Sequence, residues 1–219
     1  MNPLKYIFSF LYPLTVEKTS SAFNPVLEVR IENGKYVLNA ANANYSFGSL
    51  HRIFLKAFQK IKIGEREIKN VLLLGFGAGS VPVLLFEEYK LNCKITAVEI
   101  DEKVIELAKK HFNVQSFKSL NLVCSDASKF VEECSSKFDL IVVDIFIDDK
   151  VPSQFESTDC LLALKKLMGD KSILLFNKIV ETENGEESFI RLLNNFKEIF
   201  VETDVLNILG NRVLTTTSE

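Results

Sequence analysis

Four places along the chain carry residue types that bind or position a polar ligand, and each directly follows an apolar run. The first is Gly75-Phe76-Gly77-Ala78-Gly79-Ser80, directly after the apolar run Val71 to Leu74. Glycines in such a turn let the backbone bend tightly and approach a ligand, with the N-terminus of a following helix aimed at it. The second is Glu99, which ends the run Ile95 to Val98 and is followed by Ile100 and Asp101. A carboxylate there can accept from both hydroxyls of a ribose. The third is Asp126, in Ser125-Asp126-Ala127 after Leu120 to Cys124. It can accept from the exocyclic amine of an adenine lying across the sheet edge. The fourth is Asp144, which closes Phe138 to Val143. An acid leaving so apolar a run is costly to bury unpaired, so it needs a partner, a ligand or water.

Each feature alone has a plainer explanation. A glycine turn can serve strand–helix packing, and Asp101 and Asp126 precede helical segments that they can cap. Glu99 and Asp144 terminate apolar strands and are harder to explain in that way. Four successive strand ends carrying a glycine turn and then three acids argue for one shared site. In an open α/β sheet ligands bind outside the carboxyl ends of the strands, near the point where strand order reverses.

The elements that position these residues follow from hydrophobic period. Beyond residue 69 the four runs named above read as buried strands, with a fifth at Ser172 to Phe176. Helical spacing predicts Val81–Tyr89, Lys103–Phe112, Ser128–Cys134, Thr158–Met168 and Glu186–Phe196 between and after them. Ile199–Val205 and Arg212–Thr216, around Gly210-Asn211, read as a closing hairpin. Repeated βα units imply a parallel sheet covered on both faces, and the hairpin adds an antiparallel strand. Ahead of them, Val26–Ile31 and Lys35–Asn39 flank Asn33-Gly34, the strongest short signal for a type I′ hairpin. Gly48–Ile61 carries Leu50, Ile53, Phe54, Ala57 and Phe58 at helical spacing. The expected division is 1–62, an N-terminal β-hairpin and helix appendage, and 63–219, the ligand-binding domain.

A net charge of −3 and the lack of any long Lys/Arg run argue against a nucleic-acid surface. Four cysteines at irregular intervals, two histidines and no Cys-x-x-Cys pair argue against zinc and for reduced thiols in the cytoplasm. Cys124, inside an apolar run, reads as buried. Tyr6 to Val16 is apolar but broken by Pro13 and well short of the ~20 residues that span a bilayer. It reads as a short helix or strand packed on the domain, neither a membrane span nor a signal peptide.

The dinucleotide fingerprint started at Gly75 would need a third glycine where Ser80 stands, and no second nucleotide-binding half is available. No Gly-Lys-Ser/Thr follows, which excludes a Walker A loop. An adenosine ligand with a short tail fits better.

Val71 to Lys178 resembles the spermidine-synthase-like group of S-adenosylmethionine-dependent methyltransferase-fold proteins. The matching pieces are Leu73 to Pro82, Ala97 to Asp101, Ser125 to Ala127, Phe138 to Asp144 and Leu175-Phe176-Asn177. The resemblance implies a Rossmann-like class I methyltransferase fold, with a mostly parallel seven-stranded sheet and an antiparallel closing strand. It implies S-adenosylmethionine, or its decarboxylated form, as cofactor. Gly75, Phe76, Gly77, Ala78 and Gly79 would then border the methionine moiety. Glu99 and Ile100 would hold the ribose, Asp126 and Ala127 would face the adenine, and Asp144 the transfer site. A homodimer is also implied, whereas the acceptor, small molecule or protein, is left unspecified.

The departures from that family decide the chemistry. Aminopropyltransferases resemble Gly-Gly-Gly-Asp-Gly at the first loop, and the acidic position here is Ala78. A carboxylate there would repel the carboxylate of S-adenosylmethionine and favour the decarboxylated form. Asp144-Ile145-Phe146-Ile147 lacks the family's second acid unless Asp148 replaces it. The segment that would grip a polyamine falls near His51-Arg52 without its acid. Methyl transfer is therefore expected ahead of aminopropyl transfer, with Asp144 as the acceptor-orienting acid. A nucleoside-binding or interaction module without catalysis is the further alternative. Tyr45, His51 and Asp148 are the candidate lining of the acceptor pocket, along with Phe47, while an exposed loop also accounts for Asp148 and Asp149.

Overall fold

Alternate side chains of the central strands enter two different cores, which is why the apolar runs are continuous. The structure, a computed structural model, describes residues 3–41, 49–146, 151–180 and 183–218. Strands β4 (Asn70–Leu74), β5 (Lys94–Glu99), β6 (Leu120–Cys124), β7 (Phe138–Val143), β8 (Met168–Ile179), β9 (Asp204–Ile208) and β10 (Asn211–Thr217) form one sheet. Its order is β6-β5-β4-β7-β8-β10-β9. The first five of these strands are parallel, and β10 runs antiparallel between β8 and β9. The chain moves outward from β4 through β5 to β6, then returns to β7 on the other side of β4. Strand order therefore reverses between β4 and β7.

Val71 and Leu73 of β4 and Leu140 and Val142 of β7 pack on one face. There they meet α2 (Ser49–Lys60), α3 (Ser80–Val83, continued by a π turn over Leu84–Glu88) and α4 (Glu102–His111). Leu72, Leu74, Ile141 and Val143 pack on the other face, against α5 (Ala127–Glu133), α6 (Thr158–Leu167) and α7 (Glu183–Ile199). A period of two along each strand thus builds both cores from one run of residues.

The N-terminal residues form α1 (Pro3–Phe8) and a three-stranded antiparallel sheet, β1 (Leu14–Thr19), β2 (Leu27–Glu32) and β3 (Lys35–Asn39). Asn33 (φ 49°) and Gly34 (φ 75°) both adopt the positive φ that the hairpin turn requires. Ser9 ties α1 to this turn by accepting the N–H of Gly34 at 2.9 Å. Leu27, Val29 and Leu38 belong to the same buried cluster as α2 and the large sheet. Among the described residues no helix is long and apolar enough to cross a membrane.

Four expectations need correction. The N-terminal unit has a third strand, β1, whose half-exposed residues alternate too weakly to announce it. β8 starts at Met168 because the polar Gly169-Asp170-Lys171 stretch is absorbed as a bulge, with Lys171 at φ 56° and a shift in register against β7. Ile199 ends α7, and β9 begins only at Asp204, because the apolar residues around Phe196 and Phe200 pack as helix against the core. Cys124 is exposed at the end of the edge strand β6, where one side has no neighbouring strand to cover it.

Candidate functional site

The strand ends meet through backbone first. Gly75 donates its N–H to Val98 O at 2.9 Å, Asp144 to Leu74 O at 2.8 Å, and Ser125 to Glu99 O at 3.0 Å. Ladder bonding therefore continues one residue past the strands and sets Gly75, Glu99, Ser125 and Asp144 in a row. Gly75 has φ 87°, and a Cβ on it would lie 2.1 Å from Asp144 O. Only glycine lets the ends of β4 and β7 approach so closely.

Glu99 turns its carboxylate back toward the glycine loop. One oxygen accepts the N–H of Gly77 at 3.0 Å and the other that of Asp101 at 3.2 Å. Burial raises its pKa; the N–H donors of Gly77 and Asp101 oppose that shift, and the nearby Asp101 charge adds to it.

Asp144 accepts from Asn177 Nδ2 at 2.9 Å, and Asn177 Oδ1 in turn accepts from Asn211 Nδ2 at 2.8 Å. Asn177 and Asn211 are buried, on neighbouring strands β8 and β10. Burial pushes the Asp144 carboxyl up to about 7; the Asn177 amide opposes this and the charge of Glu99 adds to it. The mutual field shows that Glu99 and Asp144 share one region. Among the described residues, no cationic side chain is among the groups that shift Asp144.

The other candidates fall differently. Asp126 caps α5, its Oδ1 accepting from Ser128 N at 2.7 Å and Lys129 N at 3.3 Å. Its position two residues past Cys124 keeps it at the strand end beside Glu99. Phe76 and Ala78 are buried in the core, so they can offer a ligand backbone but not side chain. Ala127 is buried, and Ile100 is half-buried. His51 lies on α2 and pairs with Glu88 at 2.8 Å, at the opposite end of the helix that starts after Gly79. It is not brought to the row of strand ends. Tyr45 and Asp148 lie outside the described residues.

Three participants carried little signal in sequence. Asn177 stood out as a polar residue after an apolar run and as part of the matching piece Leu175-Phe176-Asn177, with no role attached to it. Asn211 looked like a turn residue, although the turn itself is Leu209-Gly210, both at positive φ. Asn24, which reaches Asp101 from the N-terminal unit at 2.8 Å, gave no cue at all.

An open, mostly parallel α/β sheet with a glycine turn and acids at its switch point defines the class of Rossmann-like folds. Within that class, residues 58–209 match the spermine/spermidine synthase domain, and the chain belongs to that family. It is 29% identical over 141 residues to an eEF1A lysine and N-terminal methyltransferase homolog of Drosophila melanogaster, covering 60% of this chain and 20% of that protein. It is 30% identical over 141 residues to the polyamine aminopropyltransferase of Saccharolobus solfataricus, covering 61% and 46%. The chain thus spans less than half the length of either relative. Among solved structures, a probable spermidine synthase from Corynebacterium glutamicum superposes with TM-score 0.75 at 16% identity, over 93% of this chain and 79% of that one. Human methyltransferase-like protein 13 in complex with SAH gives TM-score 0.65 at 19% identity, over 79% and 83%. These two likenesses establish the Rossmann-like fold.

Proposed function

We propose that the protein transfers a methyl group from S-adenosylmethionine to an amine held beside Asp144. The observation that carries this reading is Asp144 itself: a half-buried carboxylate, raised to about 7, with a neutral amide as its hydrogen-bond donor. A sulfonium in that region supplies the positive charge that the described side chains around Asp144 do not. Gly75, Gly77 and Gly79 are all at positive φ, so the loop bends tightly enough for its backbone to approach the cofactor.

S-adenosylmethionine brings a methyl group already activated on sulfur, so the protein's contribution is mainly placement. Glu99 accepts the ribose hydroxyls on the lone pairs that its two backbone donors leave free. Asp144 orients the acceptor amine and takes up its proton, a task suited to a carboxyl near neutral pH. Ala78 leaves the loop without the carboxylate that would repel the methionine carboxylate, so the discrimination against the complete cofactor is removed. The methyltransferase relative supports methyl transfer.

Aminopropyl transfer is the second reading, favoured by the family match and the archaeal relative. Calorimetric titration with S-adenosylmethionine, S-adenosylhomocysteine and decarboxylated S-adenosylmethionine separates the two. Preference for the complete cofactor supports methyl transfer. Preference for the decarboxylated form, with methylthioadenosine release on adding putrescine, replaces it by the second reading, and no affinity for any of the three removes both.

A further inference from the structure

The turn between β1 and β2 is built around a carboxylate that belongs to the ligand-binding unit. Ser21 N donates to Asn24 O at 2.8 Å, and Asn24 N donates back to Ser21 Oγ at 3.0 Å, closing residues 21–24 into a tight loop. Both side chains of this loop point at Asp101. Ser21 Oγ and Asn24 Nδ2 donate to the same oxygen, Asp101 Oδ2, the latter at 2.8 Å. Asn24 is 5% exposed and Asp101 2%.

Asp101 also caps α4, accepting Lys103 N on its other oxygen at 3.0 Å. A cap alone does not require this. Asp126 caps α5 and Ser157 caps α6 with donors from their own helices. Asp101 is buried at a helix start and receives two further donors from residues 77 and 80 positions away in sequence. Burying an acid is costly unless such donors are supplied. The N-terminal unit supplies them.

The consequence reaches the proposed ribose carboxylate through one more bond. The backbone N–H of Asp101 donates to Glu99 Oε1 at 3.2 Å, and Gly77 N holds Glu99 Oε2 at 3.0 Å. An unbroken chain of contacts therefore runs from Asn24 and Ser21 through Asp101 to Glu99 and the glycine loop. We infer that Ser21 and Asn24 are positioning residues. By fixing Asp101 they fix the backbone at 99–101, and with it the direction in which Glu99 presents its carboxylate to a ribose diol. The inference rests on the nucleoside reading given above.

The test compares Asn24→Ala and Ser21→Ala with the unaltered protein, titrating S-adenosylhomocysteine and its 2′-deoxy analogue. The expected result is a roughly 10- to 150-fold loss for S-adenosylhomocysteine, the range of one lost charged hydrogen bond. The loss for the analogue, which lacks one hydroxyl that Glu99 accepts, is expected to be several-fold smaller, and Ser21→Thr should restore binding. A merely structural role would weaken both ligands alike, and that outcome overturns the inference, as does unchanged affinity. If the unaltered protein binds neither ligand, the nucleoside reading falls and takes this inference with it. Amide exchange of the ligand-free protein gives a second readout. Residues 99–103 should exchange faster in Asn24→Ala, whereas unchanged protection there overturns the coupling even if the ligand reading stands.

Discussion

Asn177 donates its side-chain amide to Asp144 Oδ1 at 2.9 Å while its own carbonyl oxygen is held by Asn211, so the acid's partner cannot turn away. This bond opposes the burial that raises the Asp144 carboxyl. Replacing Asn177 by Leu removes it and leaves burial unopposed. The acidic limb of the activity profile is then expected to move upward by about one pH unit, with activity at pH 7 reduced about fivefold. Rates measured from pH 5 to 9 check this; an unmoved limb would show that Asp144 is not the group being titrated.

Asp144→Asn separates stability from function. The folded-state carboxyl sits at about 7, above the ~3.9 of an unfolded chain. Between those values the folded state holds a proton that the unfolded state has lost, so the group destabilises the fold progressively as pH rises from about 4 to about 7. A neutral amide in its place carries no such cost. The variant is expected to match the parent near pH 4 and exceed it at pH 8 by at most about 4 kcal/mol, less to the extent that water reaches the carboxylate. Urea denaturation at the two pH values measures the difference, while transferase activity is expected to fall by at least about 100-fold.

Gly75 and Gly64 offer a contrast between two glycines of the same chain. A Cβ on Gly75 would stand 2.1 Å from the carbonyl oxygen of Asp144, at φ 87°, and neither backbone can yield without separating β4 from β7. Gly75→Ala is expected to cost at least about 3 kcal/mol and to abolish cofactor binding. At Gly64 the nearest atom is 3.5 Å away on the Tyr89 ring, so Gly64→Ala should stay within about 1 kcal/mol of the parent. Thermal unfolding of both variants decides it, and comparable losses would contradict the close approach.

The parts of this molecule that were legible in sequence are those set by local period and backbone chemistry. Val71 to Leu74 and Phe138 to Val143 could be read as doubly buried strands because both of their faces meet helices, leaving no polar alternation. Asn33-Gly34 declared its hairpin because few other pairs adopt positive φ twice. What stayed hidden depends on contacts distant in sequence. The exposure of Cys124 follows from β6 being an edge strand, a property of strand order and not of its own apolar neighbours. Asn24 acquires its role from a residue 77 positions away, and His51 is engaged by Glu88 instead of the strand-end row. The site acids could be named because each ends a strand, but the amides that orient them could not.

Lys178 and Glu156 form an ion pair whose side chains are only 7% and 13% exposed, and Ser188 donates to the second oxygen of Glu156 at 3.0 Å. The pair fastens the segment before α6 to the strand residue that follows Asn177, so it braces the backbone beside Asp144. Two charges withdrawn from water are held at a desolvation cost that their attraction and hydrogen bonds offset. Removing one partner leaves the other buried alone, and Lys178→Met or Glu156→Leu is each expected to cost about 3–5 kcal/mol. The double substitution exchanges the pair for apolar contact and should recover most of that loss, giving a strongly non-additive cycle. Chemical denaturation of the four proteins measures the coupling; two small, additive losses would mean that water reaches the pair and that the segment is held by its neighbours, chiefly the Phe155 side chain buried in the same core.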